Sequence, residues 1–234
     1  IAFLVIFALV VTGSIVYFVN SSKYNDKKQT SQIQQNVSGT ESRTNTESNI
    51  AVEQTAHKTE NIEGVTYIDG IMIANKSYSL PSSFDPGLNA DAEKAFNEMV
   101  QAASNDGLSL YICSAYRSYA DQEYQYNIFA QERGVQEADE VSARPGHSEH
   151  QTGLAIDVNS TEFSFEDTDE AKWLAEHCTE YGFIIRFPKG KEQITGFEYE
   201  PWHIRYLGIE TAKKVKESGL CLEEYLGVTS EYKD

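Results

Sequence analysis

Residues 148–157 read SEHQTGLAID, and the fold and the chemistry of the chain are inferred outward from this stretch. His150 precedes a turn at Gly153, and the apolar run that follows ends at Asp157. The short run LAIDVN, residues 154–159, predicts a buried strand. A carboxylate in an apolar strand is costly unless a cation or a metal neutralises it. The pattern therefore indicates a metal site, although a salt-bridged aspartate beside an ordinary loop histidine would also account for it.

A second segment, EPWHIRY at residues 200–206, supplies another candidate ligand, His203. Zinc in a hydrolase takes three protein ligands from His, Asp or Glu and keeps a fourth position for water. His150, Asp157 and His203 form such a set. Glu200, three residues before His203, suits a general base that holds the water. A surface acid near the end of a strand explains Glu200 equally well.

A third segment, SAYRSYADQ at residues 114–122, places Arg117 between a predicted strand and the first turn of a predicted helix. An arginine held there can bind a carboxylate with two hydrogen bonds or stabilise a developing oxyanion. The alternative is a salt bridge with one of the many acidic residues of the chain.

Together these segments resemble the zinc D-alanyl-D-alanine carboxypeptidases of the VanY type, in the superfamily shared with lysostaphin and the hedgehog signalling domain. SAYRSYADQ matches YRS-x-x-x-Q, SEHQTGLAID matches S-x-H-x-x-G-x-A-x-D, and EPWH matches E-x-x-H. The resemblance covers roughly residues 64–227. It implies a hedgehog/D-Ala-D-Ala peptidase-like fold and hydrolysis of the C-terminal residue of peptidoglycan stem peptides.

The resemblance leaves several activities open and implies a role for each matching residue. D,D-carboxypeptidases, L,D-carboxypeptidases and endopeptidases share these motifs. A zinc-containing cell-wall-binding module without activity is a further alternative. His147, His177 and His57 match no ligand position. The implied roles are Zn²⁺ ligation by His150, Asp157 and His203, general base catalysis by Glu200, oxyanion stabilisation by Arg117, and orientation of the substrate by Ser148 and Gln122.

The rest of the pattern predicts an α+β fold, in which a central antiparallel sheet is flanked by helices. Short strands and helices are interspersed, and no Gly-rich phosphate loop follows a strand. Asp69-Gly70 predicts a hairpin turn or a bend within a strand. Helices are predicted at about 89–105, 118–134, 168–181, 209–217 and 222–226, and further strands at 108–115, 154–159, 183–187 and 196–206.

Composition divides the chain into three parts. Residues 1–19 are uncharged and mostly apolar, long enough at about 1.5 Å per residue to cross a bilayer core of about 30 Å. They predict a membrane anchor, with a cleaved signal peptide as the alternative. Residues 20–63 are dominated by Ser, Thr, Asn and Gln, which predicts a disordered polar linker. Residues 64–234 form the predicted zinc carboxypeptidase domain, expected on the outer face of a bacterial membrane.

Charge and cysteine content argue against several classes of partner and site. The formal net charge is −17, and an acidic domain has no basic surface for phosphates, so nucleic acid is not an expected partner. The three cysteines show no C-x-x-C spacing, which argues against a disulfide framework or a cysteine zinc site. Cys113 and Cys178 are expected to be small buried side chains.

Overall fold

The computed structural model describes residues 56–232, which form two sheets surrounded by helices. The strands are β1 (Thr59–Ile62), β2 (Val65–Ile68), β3 (Ile71–Met72), β4 (Ile112–Ser114), β5 (Ala155–Val158), β6 (Phe183–Ile185) and β7 (His203–Tyr206). The α-helices are α1 (Ala90–Asn105), α2 (Tyr119–Arg133), α3 (Val135–Val141), α4 (Asp169–His177), α5 (Glu192–Thr195), α6 (Ile209–Ser218) and α7 (Leu222–Leu226). Short 3-10 helices lie at Glu149–Thr152, Phe163–Asp167 and Cys178–Tyr181.

Strands in both sheets pair in the antiparallel sense. The smaller sheet has the order β1-β2-β3, with Asp69 and Gly70 in the turn between β2 and β3. The larger sheet has the order β4-β5-β7-β6, so the strands that carry Asp157 and His203 are central neighbours. The prediction of an α+β fold with a central antiparallel sheet flanked by helices is confirmed.

The two faces of the larger sheet differ because side chains alternate in direction along a strand. Ile156 and Ile204, paired across β5 and β7, pack with α1 and α4 in the main hydrophobic cluster. Burial of each isoleucine contributes about 1.5–3 kcal/mol to the free energy of folding. This cluster therefore stabilises one face of the larger sheet. Asp157 and His203 form the neighbouring cross-strand pair, so they point to the opposite face.

Two of the predicted helices begin at the residues that the sequence indicates. The side chains of Asn89 and Ser118 accept hydrogen bonds from the first-turn backbone of α1 and α2, as N-caps do. Helix α3, which follows Gly134 directly, is not among the predicted helices. This helix has an acidic sequence with one buried residue, Ala138, so it lacks the apolar periodicity that indicates a helix.

Strands are shorter than the sequence pattern predicts. Within residues 108–115 only β4 pairs with β5, with an irregular register. Because β4 lies at the edge of the sheet, Cys113 is exposed, and the prediction that it is buried is wrong, whereas Cys178 is buried as expected. The strand predicted from residue 196 begins only at His203, since Pro201 offers no N–H to a ladder.

The first described strand lies inside the predicted linker. Thr59–Ile62 pairs with Val65–Ile68, so the linker prediction is wrong for residues 59–62. All four side chains of β1 are exposed, which explains why composition did not reveal it. The predicted anchor at 1–19 and the linker up to residue 55 lie outside the described residues. Within residues 56–232, no helix combines the length and the apolar character needed to cross a membrane.

Candidate metal centre and active site

The three candidate metal ligands come from two adjacent strands and the turn before them. Asp157 is the cross-strand partner of His203, and Oδ1 of Asp157 lies 3.3 Å from Nδ1 of His203. His150 lies in the 3-10 helix before β5, with Nε2 3.2 Å from Oδ2 of Asp157. One ligand atom from each residue lies within 4.8 Å of the others, so the structure brings the three residues together.

Gly153 forms the tight turn that returns His150 toward the strand. Its φ of +71° ends the 3-10 helix at Glu149–Thr152 in the left-handed region that favours glycine. A Cβ at this position would lie 2.0 Å from the carbonyl oxygen of Gly87. The carbonyl oxygen of His150 also accepts a hydrogen bond of 3.2 Å from the backbone N–H of Arg117. The turn and the β4–α2 connection are therefore joined at the site.

The two histidines present different ring nitrogens to the site. Nδ1 of His150 lies 2.6 Å from the carbonyl oxygen of Ala115; Nδ1 therefore carries the hydrogen, and the lone pair of Nε2 faces Asp157. In His203 the arrangement is reversed, because Nδ1 faces Asp157. Its Nε2 lies on the other side, 3.6 Å from Oε2 of Glu149.

The donor set fits a divalent cation such as Zn²⁺. His150, Asp157 and His203 are each 5% exposed or less. Within the described residues, the buried Oδ1 of Asp157 makes no hydrogen bond, which is costly without a cation. Burial alone would raise the pKa of Asp157, but the two facing histidines hold it well below its ordinary value. Two imidazoles and an ionised carboxylate resemble the ligands of catalytic zinc sites.

Glu200 lies beside the three candidate ligands without joining their cluster. Its Oε2 is 3.2 Å from Nδ1 of His203, and its side chain is 22% exposed compared with 5% for Asp157. The turn before β7 places it: its backbone N–H donates to the carbonyl oxygen of Phe187 at 3.1 Å, and its own carbonyl oxygen accepts from the N–H of His203 at 3.4 Å. Glu200 and the three ligands line the same cavity.

Arg117 reaches this cavity from the segment between β4 and α2. Its guanidinium donates to Oε1 of Gln122 at 2.9 Å and to Oγ of Ser114 at 3.0 Å. Gln122 is itself fixed, because its amide nitrogen donates to residues 142–143. The arginine is therefore held by a buried glutamine, and among the described residues it does not form the salt bridge that the sequence left open.

The cavity has a volume of about 250 Å³ and is lined by both polar and apolar side chains. Ser148 is one of the polar lining residues, and its Oγ accepts a hydrogen bond of 3.3 Å from the N–H of His150. Burial lowers the pKa of Arg117, but Asp157 and Glu200 oppose the shift, and a guanidinium stays protonated at neutral pH. The large apolar side chains that line the cavity are those of Phe129, Val141, Phe187, Phe197 and Trp202.

A group of buried ion pairs next to His203 was not predicted from the sequence. Oε1 of Glu149 accepts hydrogen bonds from Nε of Arg186 and Nη1 of Arg205, each 2.7 Å long. Arg186 also makes two hydrogen bonds with Glu223, of 2.5 and 2.8 Å. All four side chains are 4% exposed or less. Their sequence separation leaves no local pattern, and Glu149 occupies a variable position of the quoted motif.

The remaining histidines lie outside the three-residue cluster. His147 lines the cavity, but its Nδ1 is 2.8 Å from a backbone carbonyl oxygen. His177 pairs with Glu180 at 3.0 Å, and His57 pairs with Asp69 at 2.6 Å. Each of the three therefore has another partner.

Known proteins resemble this chain over the part that contains the candidate site. A family model described as "VanY: D-alanyl-D-alanine carboxypeptidase" matches residues 85–209, a range that includes every candidate ligand, base and arginine above. The putative carboxypeptidase YodJ of Bacillus subtilis (strain 168) is 38% identical over 194 residues, which cover 72% of this chain and 71% of that protein.

Two solved structures are similar in both sequence and fold. The LdcB LD-carboxypeptidase is 39% identical with a TM-score of 0.70, over 76% of this chain and 100% of that chain. A mutant of the vancomycin resistance D,D-pentapeptidase VanY, solved in complex with Zn(II), is 33% identical with a TM-score of 0.59, over 66% of this chain and 97% of that chain. The chain therefore belongs to the VanY family of D-alanyl-D-alanine carboxypeptidases.

Proposed function

We propose that this protein is a zinc-dependent carboxypeptidase that hydrolyses the terminal D-alanyl-D-alanine bond of peptidoglycan stem peptides. The observation that carries the proposal is the convergence of His150, Asp157 and His203 in one small cavity with Glu200 and Arg117. These are the groups that metal-assisted peptide hydrolysis requires: ligands, a base and a cation for the developing oxyanion.

The metal would be held by Nε2 of His150, a carboxylate oxygen of Asp157 and Nδ1 of His203. When bound, Zn²⁺ supplies a Lewis acid that lowers the pKa of a coordinated water to about 7 and polarises a carbonyl group. The buried Oδ1 of Asp157, which makes no hydrogen bond within residues 56–232, supports this assignment.

Glu200 is the proposed general base. It accepts a proton from the attacking water and returns it to the amine of the leaving residue. Its place beside His203, at 3.2 Å, and its greater exposure than Asp157 suit a group that exchanges protons with the substrate.

Arg117 is proposed to stabilise the substrate oxygen as it becomes negative. A guanidinium has five N–H groups, and the hydrogen bonds to Gln122 and Ser114 fix its plane while leaving other N–H groups for the substrate. Ser148, in the cavity wall, is proposed to orient the peptide. Gln122 is proposed to contribute by holding Arg117 in place.

Replacement of the base tests the mechanism directly. Glu200→Gln keeps the size of the side chain but cannot accept the proton, so we expect turnover of stem peptides to be abolished while zinc remains bound. A Glu200→Gln protein with a near-normal rate would contradict the mechanism. A wild-type protein that binds zinc and wall fragments but releases no amino acid would instead identify a non-catalytic binding module.

The L,D-carboxypeptidase reaction is the second candidate, and one observation favours it. The LdcB LD-carboxypeptidase has the higher TM-score and identity of the two structures compared above. Incubation with pentapeptide and tetrapeptide stems, followed by mass spectrometry, separates the two activities. Release of the terminal residue from the pentapeptide supports D,D-specificity, and release from the tetrapeptide supports L,D-specificity. Cleavage of an internal bond would identify an endopeptidase.

We also propose that the domain acts on the outer side of a bacterial membrane. The uncharged residues 1–19 would be the anchor, and the polar segment after them a linker that lets the domain reach its substrate. Membrane fractionation of the full chain and of a chain without residues 1–19 tests this proposal. Equal distribution of both proteins between membrane and soluble fractions would contradict it.

A further inference from the structure

Next to Nε2 of His203, the ring nitrogen that does not face Asp157, lies a carboxylate that the proposed reaction does not use. Oε2 of Glu149 is 3.6 Å from Nε2 of His203. Both atoms are buried, and neither makes a hydrogen bond within residues 56–232. Buried polar atoms without partners are rare and costly. A shift of about half an ångström would bring these two atoms within ordinary hydrogen-bond distance.

We propose that Glu149 is the positioning residue for His203. It accepts the hydrogen on Nε2, so the lone pair of Nδ1 faces the metal position. The inference rests on the proposed zinc site and names the group that orients one of its ligands. His150 receives the corresponding support from the carbonyl oxygen of Ala115, at 2.6 Å. A carboxylate is a stronger acceptor than a carbonyl group, and such partners raise the basicity of a metal-binding imidazole.

Two arginines hold Glu149 ionised and in a fixed orientation. Arg186 and Arg205 donate to the same oxygen, Oε1, at 2.7 Å each, so Oε2 remains for His203. Burial alone would raise the pKa of Glu149, but the two guanidinium groups hold it well below its ordinary value. Arg205 lies two residues after His203 on β7, and both side chains therefore point to the same face of the sheet. The strand that supplies the ligand also supplies part of the support for its partner.

Glu223 provides a matched control within the same group of charges. It bonds to Arg186 at 2.5 and 2.8 Å and accepts a hydrogen bond from Asn75 at 3.1 Å. In the described part of the chain, its contacts do not include His203. Loss of either carboxylate leaves buried arginine charge uncompensated and lowers stability. Only the loss of Glu149 removes the acceptor for Nε2 of His203.

The experiment compares Glu149→Gln with Glu223→Gln. Because the arginines take the single oxygen of Gln at position 149, its NH₂ group would face the N–H of His203, and two donors would meet. We measure Zn²⁺ affinity of the metal-free proteins against a chromophoric chelator, and the visible spectrum of their Co²⁺ forms. We expect zinc to bind about 10–100-fold more weakly to Glu149→Gln, with an altered Co²⁺ spectrum. Glu223→Gln should match wild type in both measurements, although both variants melt at lower temperature.

Equal zinc affinity and equal Co²⁺ spectra for the two variants would overturn the proposal. If Glu149→Gln does not fold, Glu149→Asp serves instead, since it keeps the charge for the arginines but withdraws the carboxylate from His203. An affinity between those of wild type and a ligand variant is expected for it, and wild-type affinity and spectrum would overturn the proposal. Neither measurement depends on substrate turnover. Failure of wild type itself to bind zinc would contradict the proposed function.

Discussion

Asp157 and His203 are direct cross-strand partners in the antiparallel pair of β5 and β7, with Oδ1 and Nδ1 3.3 Å apart. Backbone hydrogen bonds and the buried pair of Ile156 and Ile204 beneath the strands therefore set the spacing of two candidate ligands. A site on rigid strands needs little ordering when the metal binds. We consequently expect the metal-free domain to remain folded, unlike a zinc finger.

Asp157→Ala should severely weaken zinc binding, because it removes the only anionic ligand of the proposed set. His147→Ala and His177→Ala are the matched controls, since each removes a histidine that lies outside the cluster. Calorimetric titration of zinc into the four metal-free proteins measures the effect. Equal affinities for wild type and Asp157→Ala would contradict the assigned site, and a large loss in His147→Ala would mean that the wrong histidine was chosen.

Removing the metal should lower thermal stability without unfolding the domain. A ligand that binds only the folded state stabilises it by about 2.7 kcal/mol at 100 times its Kd. Scanning calorimetry with zinc and with excess chelator should therefore show two folded proteins with different melting temperatures. Asp157→Ala should melt at one temperature under both conditions. A chelated wild type without a cooperative transition would contradict the preorganised site.

Arg117→Lys should lower kcat by about 10²–10³, the range for removal of one oxyanion donor, while zinc affinity stays unchanged. Lysine keeps the charge but loses the planar fork that Gln122 and Ser114 fix. Gln122→Ala should have a smaller effect on kcat, since the guanidinium is still present but less well held. Stem-peptide kinetics beside zinc titrations make the comparison. Unchanged kcat in Arg117→Lys would exclude Arg117 from oxyanion stabilisation.

The sequence predicts best those features of the fold that depend on residues close together in the chain. Asn89 and Ser118 cap their helices through neighbouring backbone groups, and the D-G turn joins two adjacent strands, so each is visible within a few residues. The relation of Glu149 to Arg186 and Arg205 depends on the register of β7 and on the turn at residues 149–152. These residues are far apart in sequence, and without the fold their charges resemble those of a solvated surface.

Stability should depend on pH through Asp139, which joins α3 to the segment that leads to Ser148. Burial alone would raise the pKa of Asp139, but hydrogen bonds from Arg144 and Tyr126 lower it below its ordinary value of 3.8. The folded state thus favours the ionised form. The stabilisation of the folded state by ionised Asp139 is complete above the ordinary pKa of 3.8, and it is lost as the pH falls through the lower pKa of the folded state.

Asp139→Asn should therefore lower the free energy of unfolding by about 1 kcal/mol at pH 7. The difference in this free energy between the variant and wild type should shrink at pH values below 3.8. Urea unfolding at pH 7 and pH 3 measures it. Asp169→Asn is the control, because the Asp169 side chain is 82% exposed and a small difference is expected at both pH values. A cost of Asp139→Asn that grows toward low pH would contradict the assigned sign.

Gly153→Ala should lower both the stability of the domain and its zinc affinity. Gly107→Ala is the control, because it introduces the backbone strain of a positive φ without the overlap that a Cβ at residue 153 would make with Gly87. Both glycines have positive φ, +71° and +82°, so alanine strains the backbone at either position by about 1 kcal/mol. At Gly107 nothing lies within 4 Å of the added Cβ, whereas at Gly153 the carbonyl oxygen of Gly87 would be 2.0 Å away. That overlap must displace the turn that carries His150.

We therefore expect Gly107→Ala to lose only a little stability in urea and to bind zinc as wild type does, while Gly153→Ala loses more stability and zinc affinity together. Equal stability and equal zinc affinity in the two variants would show that the close approach of Gly87 does not hold His150 in place.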